Sequence, residues 1–149
     1  MPNKATHTIV GTVAGGCTAA YRAREQEATK ALEIIGGCVG GYIGSRLPDI
    51  IEPACWPGHR QFAHSVAVGG GVAYGLYKLI EEWEIYFRSR AEYYKNMKSE
   101  DLYWLKKLFY QVLEILSHIA AGTLSGFSVG YLSHLFTDGC TQKGLPLIQ

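Results

Sequence analysis

Apolar and small residues dominate four stretches of the chain, separated by short clusters of charged or proline-bearing sequence. Alternation with a period of two never persists over several residues, so strands are not expected and the spacing predicts an all-α fold. The first helix is expected from about Thr8 to Ala23, and the second from about Glu25 to Ser45 with an acidic first turn. Pro48, Pro53 and Pro57 oppose continuous helix and predict a structured loop from about Leu47 to His59. A third helical region starts near Gln61 and extends toward Lys98. Ser99, followed by Glu100 and Asp101, then reads as the cap and acidic first turn of a last helix ending near Asp138. The expected architecture is a single domain over residues 1–149: a compact bundle of about four Gly-rich helices.

Glycine changes that picture most. Most of the 18 glycines fall inside helical stretches rather than turns, although each costs about 1 kcal/mol relative to alanine in a helix interior. Close approach of helix backbones is the physical reason to expect. Gly122, Gly126 and Gly130 recur every four residues and lead into His134 and Asp138 along one slowly drifting helical stripe. Gly36, Gly37, Gly40, Gly41 and Gly44 cluster upstream of Asp49, and Gly69, Gly70, Gly71 and Gly75 follow His64. The same pattern also suits membrane-type packing of small residues with no metal present.

The composition is 48% hydrophobic, with mean hydropathy of +0.01, as in an ordinary soluble protein. Two segments depart from it: Phe62 to Ile80 and Val112 to Phe136 are weakly charged and about long enough to cross a bilayer core, which takes ~20 residues. They contain His64, Glu114, His118 and His134, which are costly in lipid unless turned toward a protein interior. These segments read as buried helices of a compact bundle, with membrane contact as the alternative. A net charge of +1 gives no electrostatic footprint for stable nucleic-acid binding. Cys17, Cys38, Cys55 and Cys140 form no C-x-x-C pair, and no secretory leader is recognisable. A reducing compartment is expected, cytoplasmic or at the cytoplasmic membrane, with Cys140 as a packed thiol. Aromatic residues crowd the hairpin from Trp83 to Tyr110, which suits either an interfacial surface or an amphipathic extension of two paired helices.

The chemistry concentrates in three short segments. On a helix, His134 and Asp138 project from one face a turn apart, so both can reach one cation, although such pairs also occur as simple hydrogen bonds or caps. Leu47-Pro48-Asp49-Ile50-Ile51-Glu52-Pro53 adds two carboxylates, and Gly58-His59-Arg60-Gln61-Phe62-Ala63-His64-Ser65 adds two imidazoles and a guanidinium. Arg60 reads equally well as an ion-pair partner of Asp49 or Glu52. His118 lies about 160° around an ideal helix from His134. A hydrogen bond to Glu114, one turn earlier, is expected for it.

Taken in order, L-P-D-x-x-E-P (Leu47 to Pro53), H-R-x-x-x-H-S (His59 to Ser65) and G-Y-L-S-H-L-x-x-D-x-x-T-x-x-G-x-P-L (Gly130 to Leu147) resemble the LexA-regulated, membrane-associated metal-dependent hydrolases of the YdjM type. His7 stands where that family usually has a histidine near its N-terminus. Ile51 and Glu52 replace the second Asp and the His of the commoner L-P-D-x-D-H pattern.

The resemblance implies a hydrolase whose helical metal centre is similar to those of zinc-dependent phospholipase C and P1-type nucleases. Phosphoesters are the substrate it favours, phospholipid among them. It implies one or two divalent transition-metal ions, with zinc favoured over Mn²⁺ or Fe²⁺. His7, Asp49, His64, His134 and Asp138 are the implied ligands, with His59 coordinating or holding a neighbour. Glu52 is the candidate general base or orienter, Arg60 and Lys143 would neutralise a phosphoryl oxygen, and water is the expected nucleophile. The competing function is a non-catalytic, metal-stapled helical protein acting in membrane association or partner binding. Oligomeric state is not legible in the sequence.

Overall fold

In the computed structural model the described residues are 4–23, 27–51, 66–99 and 103–140. They form four helices: α1 (Lys4–Arg22), α2 (Glu27–Ile51), α3 (Val66–Ser99) and α4 (Trp104–Gly139). No strand occurs among them, and the helices make a compact bundle. The most extensive contact is between α2 and α4; α1 lies against both, while among the described helices the backbone of α3 approaches α4 alone.

Glycine makes the α1–α2–α4 contact possible. A Cβ built on Gly126 would fall 2.8 Å from the carbonyl carbon of Gly37, and one on Gly130 would fall 2.8 Å from the Cα of Gly41. Carbon atoms ordinarily stay about 3.5–4.0 Å apart. On the other face of α2, a Cβ on Gly15 would lie 2.8 Å from that same Gly41 Cα. Three helix backbones therefore touch through one small-residue seam, as the spacing in the sequence predicts. The glycines of α3 differ: Gly71 and Gly75 meet nothing within 4 Å, so close helix approach is not their role among the described residues.

A seam of glycines leaves little room inside for large apolar side chains. The buried apolar residues are chiefly Ala19, Ala23, Ala91 and Ala121, whereas Ile9, Val13, Ile35, Val39, Ile43, Leu116, Leu132 and Phe136 are exposed. Polar groups occupy the interior instead: His7, Glu33, Ser45, Glu84, His118, Ser125, His134 and Asp138 are all buried. Several helix hydroxyls bond locally, Thr12 donating to the Thr8 carbonyl, Thr18 to Ala14 and Thr123 to Ile119. This inverted distribution is expected when the surroundings, and not the core, are apolar.

Three element boundaries differ from expectation. Helix α1 begins at Lys4, so His7 is helical. Helix α2 runs through Pro48 to Ile51, which places Asp49 on a helix and not in a loop. An interior proline loses one hydrogen bond and crowds the carbonyl four residues back, at a cost of about 3 kcal/mol, and Pro48 is fully buried in the bundle, where packing offsets that loss. Ser99 is the last residue of α3 and not a cap for α4. The α4 N-cap is Tyr103, whose carbonyl accepts from the amides of Lys106 and Lys107 at 2.9 and 3.2 Å without a side-chain cap.

Helices α3 and α4, with 34 and 36 residues, outreach α1 with 19. Their aromatic, charged halves pair with each other, the Tyr94 and Tyr110 rings stacking with centroids 6.2 Å apart. At the base of this hairpin Arg88 bridges Glu33 on α2, at 2.6 Å, and Glu84 on α3, at 2.7 Å, while Arg22 on α1 pairs with Glu84. The Nδ1 of His118 lies 3.1 Å from Glu33. The expected His118–Glu114 bond is absent among the described residues, because Glu33 arrives from across the seam and Glu114 pairs with Lys98 at 2.7 Å.

Candidate metal centre

Antiparallel packing brings the start of α1 and the ends of α2 and α4 to one end of the bundle. His7 on α1, Asp49 on α2, and His134 and Asp138 on α4 meet there. Nε2 of His7 lies 3.4 Å from Oδ1 of Asp138, and Nε2 of His134 lies 3.7 Å from both Oδ2 of Asp138 and Oδ1 of Asp49. The two imidazoles stack, with ring centroids 3.9 Å apart and planes 19° from parallel. His134 and Asp138 are almost completely buried, His7 nearly so, and the Asp49 side chain is partly exposed.

The hydrogen bonds on the far side of each ring fix its tautomer. Nδ1 of His134 lies 2.5 Å from the carbonyl oxygen of Ser45, which can only accept, so Nδ1 carries the hydrogen. Thr137 spends its single hydroxyl hydrogen on the carbonyl of His134 at 2.9 Å. Its oxygen must therefore accept from Nδ1 of His7, at 2.6 Å. With Nδ1 engaged on its outer side, each ring turns its Nε2 toward the carboxylates. Outer partners that hold the second ring nitrogen in this way are the usual support of metal-binding histidines.

The donor set fits a divalent cation. His7, His134 and Asp138 can each offer one ligand atom, all within 4.8 Å of one another. Ligand atoms about 2.1 Å from a tetrahedral ion stand about 3.4 Å apart, close to the 3.4 and 3.7 Å separations here. Two imidazole Nε2 atoms and two carboxylates surround one space, and mixed nitrogen and oxygen ligation of this kind suits zinc, manganese or iron. A cavity of about 70 Å³ adjoins the cluster, lined by Lys4, His7, Ser45, Arg46, Asp49 and Ile50.

Of the residues expected at the site, the structure thus brings together His7, Asp49, His134 and Asp138. Glu52, His59, Arg60, His64 and Lys143 lie outside the described residues. His118 belongs to the Glu33–Arg88 cluster, 16 residues and so about 24 Å along α4 from His134. Cys140 is exposed and not a packed thiol, because it lies just past the end of α4. Sequence reasoning missed Ser45 and Thr137, which orient the two rings, and Lys4 and Arg46, which line the cavity. Thr137 could have been suspected from its place between His134 and Asp138; the Ser45 carbonyl leaves no mark in the sequence.

Backbones packed through glycine, large apolar side chains outside and a buried His/Asp cluster at one end define an α-helical membrane protein with a potential metal site. The chain belongs to the YdjM inner membrane protein family, whose model matches residues 1–149. No curated protein and no solved structure matches it. Among the described residues, α4 is the helix long and apolar enough by itself to cross a membrane. Aligned stretches without charged or histidine residues run through α1 (8–21), α2 (34–45) and α4 (119–133). They lie between the His/Asp cluster and the Arg88 cluster, which fits association with the cytoplasmic membrane.

Proposed function

We propose that this protein is a metal-dependent hydrolase that cleaves phosphoesters with water. The observation that carries the reading is the convergence of His7, His134 and Asp138, with Asp49 beside them, their acceptor atoms facing one space and both imidazoles held by outer partners. The family resemblance of the sequence motifs, which implies a centre similar to those of phospholipase C and P1-type nucleases, supports phosphoesters as the substrate class. When bound, a divalent cation, zinc by preference, supplies Lewis acidity that acidifies water and offsets phosphoryl charge. His64 and His59 complete the ligand set on this reading. On this reading Glu52 takes a proton from water as its oxygen bonds to phosphorus, the ester P–O bond breaks, and Glu52 returns that proton to the leaving alkoxide. Arg60 and Lys143 hold the phosphoryl oxygens.

The near-complete burial of His134 and Asp138 favours a second reading, in which the ion only staples three helix ends together. Replacing Glu52→Gln separates the two. A hydrolase keeps its metal and its stability but loses turnover of a generic phosphodiester, and chelation abolishes the wild-type rate. Stoichiometric metal without turnover across a broad phosphoester panel would leave the staple standing and end the hydrolase reading.

A further inference from the structure

The cavity beside the cluster is far smaller than a site for a whole ligand. Its 70 Å³ compares with about 300–1,000 Å³ for pockets that enclose a drug-sized molecule. Only the reacting group of a substrate fits, and the remainder must lie against the outside of the bundle.

Two cations line the cavity. Lys4 and Arg46 are both exposed, and no described carboxylate pairs with either. The Arg46 guanidinium is braced by a hydrogen bond to the hydroxyl of Tyr42 at 2.6 Å and lies 5.5 Å from the centre of its ring. That arrangement orders the side chain while leaving charge available for an anion. The surroundings are apolar: Ile9 and Val10 follow His7 by two and three residues, Ile50 and Ile51 follow Asp49, and Phe136 lies between His134 and Asp138, all exposed. Ile50 also lines the cavity.

We infer that the substrate is a membrane-borne amphiphile whose phosphoryl headgroup enters this cavity, with Lys4 and Arg46 taking its anionic oxygens and its acyl chains remaining on the apolar exterior. The inference rests on the phosphoester reading, narrows its substrates to membrane-borne ones, and adds two residues that select them. Loss of a hydrogen bond to a charged partner lowers affinity by about tenfold or more.

The test uses the full chain in dodecyl maltoside, zinc-loaded and metal-free, titrated with the non-hydrolysable phosphonate analogue of dioctanoyl phosphatidate, with inorganic phosphate and with dioctanoylglycerol. The phosphonate lipid is expected to bind most tightly in both states. Arg46→Gln and Lys4→Gln should each weaken it about tenfold or more without changing zinc stoichiometry. Arg90→Gln, on the distant hairpin, should leave binding unchanged. Lys4→Gln sits at the exposed start of α1 and keeps the test available if Arg46→Gln misfolds. Inorganic phosphate binding as tightly as the lipid would overturn the membrane source, and equal binding of dioctanoylglycerol would overturn headgroup recognition. Undiminished affinity in both variants, or equal loss in Arg90→Gln, would overturn the roles of Lys4 and Arg46. Failure to take up zinc counts against the hydrolase reading alone, since the charge effect is read in metal-free protein as well.

Discussion

Replacing Gly126→Ala tests the seam on which the metal centre depends. The new methyl carbon would sit 2.8 Å from the carbonyl carbon of Gly37 and 2.9 Å from its Cα. Restoring ordinary carbon–carbon contact at about 3.5–4.0 Å requires α4 to retreat by roughly 0.7 Å or more. Intrinsic helix propensity pulls the other way, favouring alanine by about 1 kcal/mol. Forced overpacking costs ~1–3 kcal/mol, and a collision with rigid backbone belongs at or beyond the top of that range because no side chain can rotate aside. The net expectation is a destabilisation of ~2 kcal/mol, read as the shift in reversible unfolding in mixed dodecyl sulfate and maltoside micelles. The control is Gly75→Ala, where nothing lies within 4 Å, so propensity acts alone and stabilises by up to about 1 kcal/mol. His134 lies eight residues beyond Gly126 on the same helix, and metal affinity should fall with the same substitution. Should Gly126→Ala stabilise the protein as Gly75→Ala does, α2 and α4 do not touch through backbone and the seam is refuted.

Two other substitutions probe the polar interior. Thr137→Val keeps the shape but removes the acceptor for Nδ1–H of His7, so metal affinity should drop about 10–100-fold, while Thr137→Ser retains it. Competition against chelators of graded strength measures this, and a Thr137→Val protein equal to wild type would refute the tautomer assignment. In the second cluster, Arg88→Met leaves the fully buried Glu33 with His118 alone and Glu84 with Arg22 alone among the described residues, and should destabilise by about 3 kcal/mol. Lys98→Met breaks a pair whose lysine is one-third exposed and should cost less than ~1 kcal/mol. Equal unfolding midpoints for the two variants would show that the buried network carries no special weight.

The helical class, the four elements and the glycine seam were legible in the sequence because they follow from local spacing: Gly122, Gly126 and Gly130 share a helix face whatever the rest of the chain does. His134 and Asp138 were legible for the same reason, being one turn apart on one helix. Local rules failed where tertiary packing outweighed them. Pro48 was expected to end α2, but the helix runs through it with its side chain fully buried, which carries Asp49 to the site. His118 was expected to bond within its own helix, yet the thin glycine seam brings Glu33 close enough from α2. The meeting of His7 with residues 127 and 131 positions later, the ring orientations set by Ser45 and Thr137, and the basic cavity of Lys4 and Arg46 were decided only by the antiparallel assembly. The sequence determined which side chains each helix carries on which face; which helix ends share a space depends on long-range packing that no local spacing encodes.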